Sequence, residues 1–212
     1  LSAEEQVGNR PYEMVWANRT SDTHPALVDF ENLDGWTVEC VSAAATLTRS
    51  RAQQLWGQYV AQLVYRGTGA KAAVTLRPPK PIPVAWPFDC VNLWAYGNNW
   101  AWVPDKTTPQ VEVAVLLRGK SGQSLRLPLA RVNWREWWVM HRKLSKEQRE
   151  LLGGAAVLEG IQVAGARNKD DRTLYFDNLA CYQEKLAPLT YEKRRLRGIQ
   201  PFPGQTTGTN TG

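Results

Sequence analysis

From Ala26 onward the chain breaks into short apolar runs separated by turn residues every eight to twelve positions. That spacing is expected of a β-sandwich or barrel rather than of packed helices. The runs predict strands at Ala26–Phe30, Trp36–Ala43, Tyr59–Tyr65, Ala72–Leu76, Cys90–Tyr96, Val111–Leu117, Leu125–Leu129, Trp137–Lys143, Leu158–Ala164 and Thr173–Tyr182. Glycine- and asparagine-rich turns mark the joins, as at Arg66–Gly69, Gly97–Asn99, Gly119–Gly122 and Asn168–Asp171. Only Ser145–Leu152 reads as helical, with Ser145 placed to cap it. The predicted fold class is all-β. Residues 1–25 are polar and irregular, the sandwich occupies 26–184, and 185–212 read as a basic, Pro/Gly/Thr-rich linker toward a further domain.

Alternation also assigns faces, because successive strand side chains point to opposite sides of a sheet. Val111, Val113, Val115 and Leu117 make a core stripe. In Cys90–Tyr96, Val91, Leu93 and Ala95 are expected inside, which sends Asn92, Trp94 and Tyr96 to the other face. An outer face bearing Asn, Trp and Tyr is suited to an amphipathic partner.

Composition sharpens that expectation. The chain has ten tryptophans, seven of them between Trp86 and Trp138. An indole can stack beneath a sugar ring, a base or a cation while its N–H donates a hydrogen bond; equally, it can fill a thick sandwich core. Trp36, Trp134 and Trp138 are expected in the core, Trp86 against the prolines of its loop, and Trp100 and Trp102 in the open. The net charge is +6, but the densest basic run, Lys193 to Arg197, lies near the tail and outside any expected core. Elsewhere acidic and basic residues alternate, so nucleic acid is not the expected partner. No apolar stretch approaches the roughly 18 residues of a membrane-spanning helix. The cysteines Cys40, Cys90 and Cys181 lack metal-like spacing and allow at most one internal disulfide.

Several segments carry a resemblance. Val28-Asp29-Phe30-Glu31-Asn32-Leu33-Asp34-Gly35-Trp36 is similar to the opening strand of the galactose-binding-domain-like β-jelly-roll carbohydrate-binding modules. Val91–Asn98, Val111–Leu117, Gly119–Gly122 and Val132–Leu144 follow in the order those modules use. Leu158–Val163 and Leu174–Leu179 look like their closing strands. The pattern departs at Glu136-Trp137-Trp138, where Glu replaces the usual glycine, and in the aromatic loop Trp100–Pro104. The resemblance implies a β-sandwich jelly roll that binds a polysaccharide or oligosaccharide without catalysis, within a larger secreted or cell-surface protein. It also implies a structural calcium, with Asp29, Glu31 and Asp177 as matching residues. Calcium takes six to eight oxygens, and carboxylates on neighbouring strands could supply several. The simpler reading is that Asp29 and Asp177 cap turns by accepting backbone N–H groups.

For sugar stacking the candidates are Trp94, Tyr96, Trp100, Trp102 and Trp137, with Asn92 and Arg118 as partners for hydroxyls or an acidic group; Asn98, Asn99 and Gln162 are further polar candidates. Two other functions stay open. One is an accessory module that packs on its parent's catalytic domain, because large aromatics also anchor protein interfaces. The other is a divergent jelly-roll glycanase or polysaccharide lyase. That chemistry needs a carboxylate pair or a Tyr/His pair with Arg and Gln. Glu112 with Glu136 is the only plausible cross-strand pair of carboxylates; His24 sits in the irregular N-terminal segment beside Pro25, and His141 reads as an ordinary surface histidine. This chain itself is therefore not expected to be an enzyme.

Overall fold

The computed structural model describes residues 25–185. The expectations of an irregular segment over 1–24 and a linker over 186–212 lie outside the described residues. Among the described residues there are eleven strands and one helix: β1 (Thr37–Val41), β2 (Ala43–Ser50), β3 (Val60–Gly67), β4 (Ala73–Arg77), β5 (Ile82–Val84), β6 (Cys90–Tyr96), β7 (Glu112–Gly119), β8 (Ser124–Arg131), β9 (Trp137–Lys143), α1 (Lys146–Leu152), β10 (Ala156–Ala164) and β11 (Arg172–Tyr182). They make two antiparallel sheets. The first runs β1-β4-β10-β7-β8, with β5 also paired to β10; the second runs β2-β3-β11-β6-β9. From β8 onward the chain passes from one sheet to the other at each strand, which gives the jelly-roll sandwich that alternation and resemblance predict.

The core lies between the sheets. Val113, Val115 and Leu117 of β7 meet Leu127, Ile161 and Val163 within the first sheet; across from them stand Leu63, Tyr65, Val91, Leu93, Leu174 and Phe176 of the second. Burial of the Tyr65 phenol pushes it up to about 12 although Asn98 Nδ2 donates to its oxygen at 3.0 Å. α1 begins where the sequence places it. Ser145 accepts from the Gln148 amide and Gln148 reaches back to the Ser145 N–H, a reciprocal capping box.

Three boundaries differ from expectation. Ala26–Phe30 is not a strand: only Val28 bridges Leu179, and Phe30 has a φ of 58°. The single strand expected over Trp36–Ala43 is two strands, split at Ser42, whose φ of 48° turns the chain from one sheet into the other. β5, preceded by Pro81 and containing Pro83, carries no alternation signal. Trp138 is a correction of another kind, being 57% exposed rather than in the core. Its register partner Ala95 does face the core, but β9 ends its sheet, so the indole overhangs the rim.

Candidate functional site on the outer face of the second sheet

The outward residues of β6 are Cys90, Asn92, Trp94 and Tyr96, as alternation requires. Register places their neighbours. Tyr96 lies between Trp137 of β9 and Tyr175 of β11, and Trp94 between Val139 and Asp177. Tyr175 in turn pairs with Gln62 of β3, and Gln62 with Thr48 of β2. A row of Trp137, Tyr96 and Tyr175 therefore crosses three strands and continues into polar Gln62 and Thr48. Tyr96 meets Trp137 edge-on with ring centroids 5.8 Å apart, and Tyr175 edge-on at 6.0 Å. Edge-to-face contacts are a favourable arrangement of ring quadrupoles, so the row is pre-formed.

A second row is covered. Trp94 is only 8% exposed because Trp56 stands edge-on against it at 5.0 Å and Leu55 and Val60 close around it. The covering loop, 51–59, is held by two of the carboxylates singled out for calcium. Asp177 accepts the Trp56 N–H at 3.0 Å and that of Asn178 at 2.8 Å; Glu31 accepts those of Gln58 and Tyr59 at 2.8 and 3.2 Å. Gly57, at a φ of 59°, lies so close to the Glu31 carboxylate that a Cβ there would overlap it. Asp29 accepts the Glu31 N–H at 3.1 Å. Burial, with the fields of Glu31 and Asp29 added, raises the Asp177 carboxyl to about 7 despite its two hydrogen bonds. The three carboxylates thus surround one loop anchor and repel one another. Among the described residues the three-membered group with metal-ligating atoms drawn within 4.8 Å is a different one, Cys90, His141 and Glu184.

A cavity of about 330 Å³ opens at the Tyr96 end of the face, against Tyr175, Asn98, Arg135, Arg172 and Asp105. At its edge Gly97 lets the Trp134 carbonyl pass, too close for any side chain. Arg172 donates to the Thr108 and Thr107 hydroxyls at 2.6 and 2.8 Å. Hydrogen bonds from Thr107 and Thr108 hold the Asp105 carboxyl down at about 2, so this wall carries two cations and one firm anion. The same loop bears Trp100, 49% exposed, and Trp102, 86% exposed.

The sequence-derived candidates are thus distributed unevenly. Tyr96 and Trp137 sit side by side, although Trp137 is only 5% exposed, and its indole N–H has no acceptor among the described residues. Trp100 and Trp102 project from the cavity loop. Asn92 is on the expected face, with its Oδ1 2.6 Å from His141 Nδ1. Arg118 is not brought to this face: it lies on β7 of the other sheet and its Nε meets Glu159 Oε1 at 2.6 Å. Gln162 is on that sheet too, accepting from Arg126 at 2.7 Å, and Glu112 is paired with Arg126 at 2.7 Å, away from Glu136 on the β9 side. Asn98 and Asn99 are spent on backbone carbonyls at Thr173 and Thr108. Trp86 stacks edge-on against Phe88, and all three cysteines are free. Trp56, Tyr175, Arg135 and Arg172 were missed. Tyr175 was legible, since it stands two positions from Asp177 and so on its face; Trp56 sits in a stretch without alternation.

No protein-family model and no curated protein matches the sequence. Solved structures do. One, described as the structural basis for the promiscuous specificity of carbohydrate-binding modules from the β-sandwich superfamily, has a TM-score of 0.51 at 14% identity over 76% of this chain. The match spans 62% of that structure's own chain. The family 11 carbohydrate-binding module of the cellulosomal cellulase Lic26A-Cel5E of Clostridium thermocellum has a TM-score of 0.47 at 11% identity, covering 77% of this chain and 96% of that one. TmCBM61, solved with β-1,4-galactotriose, has a TM-score of 0.46 at 15% identity, covering 77% of this chain and all of the other. With its two antiparallel sheets and its strand order, the described chain has the β-sandwich fold of the carbohydrate-binding modules.

Proposed function

We propose that the outer face of the second sheet binds a polysaccharide or oligosaccharide, without catalysis, as one module of a secreted carbohydrate-active protein. The observation that carries this reading is the row Trp137–Tyr96–Tyr175, aromatic at one end and continued by Gln62 and Thr48. Sugar rings present C–H faces that lose hydration favourably against an aromatic ring, and their hydroxyls need donors and acceptors close by. The half-buried Tyr96 and Tyr175 supply ring surface. Gln62 and Thr48 supply polar partners, and Trp100 and Trp102 would add stacking from the loop. Arg135 and Arg172 in the cavity favour a glycan carrying carboxylate or sulfate groups. Such a module fits the sandwich shared with carbohydrate-binding proteins.

A calcium ion belongs to the same proposal. Carboxylate oxygens suit a hard dication, and one at Asp29, Glu31 and Asp177 would offset the burial, and the smaller fields of Glu31 and Asp29, that raise Asp177. It would stiffen loop 51–59 rather than touch the sugar. The test is retention of the full chain in gels carrying single polysaccharides, run with calcium and with chelator. Retardation by one glycan class, weakened in Tyr96→Ala, supports the reading. Equal mobility in every gel would shift the function to docking on a neighbouring domain through Trp102 and Val103, which are widely exposed.

A further inference from the structure

Below Trp94 the outer face changes from aromatic to ligating. Register sets Asn92 beside His141, and Cys90 between Lys143 and Tyr182. Just past β11, Glu184 folds back over them: its N–H donates to Asp89 Oδ1 at 2.8 Å and its Oε1 lies 3.6 Å from His141 Nε2. One ligand atom from each of Cys90, His141 and Glu184 lies within 4.8 Å of the others. Cys90 is six residues from Tyr96, so this cluster stands roughly 20 Å down the strand from the aromatic row and shares no residue with it.

We propose that Cys90, His141 and Glu184 form a binding site for a zinc-class divalent ion, with the fourth position open to water.

Three observations support it. The first is chemistry: a thiol, an imidazole and a carboxylate are the sulfur, nitrogen and oxygen donors that zinc takes in tetrahedral sites. The second is spacing. Bonds of about 2.0–2.3 Å in a tetrahedron put ligand atoms roughly 3.3–3.8 Å apart. The His141–Glu184 separation of 3.6 Å already fits, and both are solvent-reached side chains beside a buried thiol. The third is orientation. Asn92 Oδ1 can only accept, so the 2.6 Å contact puts a proton on Nδ1, which the Tyr182 hydroxyl also approaches at 3.4 Å, and Nε2, facing Glu184, is the nitrogen left to ligate. A carbonyl that fixes the tautomer of a ligating histidine is the usual outer partner at zinc sites. Lys143 is the rival cation, but its Nζ bonds the other carboxylate oxygen, Glu184 Oε2, at 2.9 Å, and half of its side chain is exposed. Binding would release the Cys90 thiol proton to solvent, through Asp89, which accepts the thiol's hydrogen bond. The ion would clip the end of β11 to β6 and β9.

The experiment is titration of the full chain with cobalt(II), followed by competition with zinc. Expected is a thiolate-to-cobalt charge-transfer band that zinc abolishes, is absent in Cys90→Ser and is intact in Cys181→Ser. His141→Gln and Glu184→Gln are expected to weaken cobalt binding at least tenfold, and Asn92→Ala about 10–100-fold through loss of the tautomer lock. If Cys90→Ser fails to fold, the exposed-site variants His141→Gln and Asn92→Ala still decide the matter. No band at saturating cobalt, a band that survives in Cys90→Ser, or unchanged affinity in both His141→Gln and Asn92→Ala would overturn the proposal.

Discussion

The two sheets bury their inner faces in one core, yet their outer faces follow opposite rules. On the first sheet, outward charges are matched strand to strand: Arg77 with Glu39 at 3.0 Å, Arg118 with Glu159 at 2.6 Å, Arg126 with Glu112 at 2.7 Å. Such a wall is solvated and self-sufficient. On the second sheet the outward positions of β6, β9 and β11 carry rings, a buried indole N–H without an acceptor among the described residues, and the Cys90 and His141 side chains of the proposed ion site. A face whose polar groups are paired internally has little left to offer a ligand. A face with half-buried rings and polar neighbours does, which is why the binding proposal follows the second sheet and abandons Arg118.

That contrast can be broken most forcefully at Trp94. Trp94→Ala removes a buried indole from under loop 51–59 and is expected to cost about 3–5 kcal/mol of stability, read as a lowered denaturant midpoint, and with it any glycan retention. Tyr96→Ala should separate the two effects. A stacked ring contributes on the order of 1–3 kcal/mol to binding, so affinity should fall roughly 5- to 150-fold while the melting temperature drops only slightly. Trp100→Ala with Trp102→Ala should weaken retention in the same assay and leave the melting temperature unchanged, because both rings stand in solvent. An equal loss of stability would show that they close on the sheet.

The pH dependence tests the carboxylate anchor. Asp177 is held at about 7 in the fold against an ordinary 3.8, first by burial and then by Glu31 and Asp29. Its ionised form is therefore the one the fold disfavours. In chelator, stability should fall as pH rises from about 4 to about 7 and then level off. Calcium should flatten that slope, and Asp177→Asn should remove it. The smallest effect is expected on the first sheet. Arg118→Ala breaks a partly exposed pair and should change stability by less than about 1 kcal/mol, with no change in retention.

Most of the fold was legible because alternation in β6, β7 and β10 states directly which residues face inward, and the capping residues of α1 announce its start. The site was legible only where it follows from that same alternation. Tyr96 and Trp137 fall on one face by parity alone. Arg118 misled because parity gives a face but not a sheet, and only the strand order puts β7 in the opposite layer. Trp138 misled because parity cannot tell an edge strand from a central one. Trp94 is on the predicted face yet covered, and its cover depends on Asp177 and Glu31 capturing loop residues from far along the chain, as Trp56 and Asp177 do across 121 positions. The Cys90–His141–Glu184 cluster lies in three separate segments with no spacing motif, so only pairing of β6, β9 and β11 assembles it.

The central claim is that one outer face binds glycan and the other does not. Affinity-gel electrophoresis of the native chain, Tyr96→Ala and Arg118→Ala across a panel of neutral and acidic polysaccharides tests it most directly. The account predicts that one glycan class retards the native chain and Arg118→Ala alike but retards Tyr96→Ala far less. Retention undiminished in Tyr96→Ala, or lost in Arg118→Ala, would contradict it.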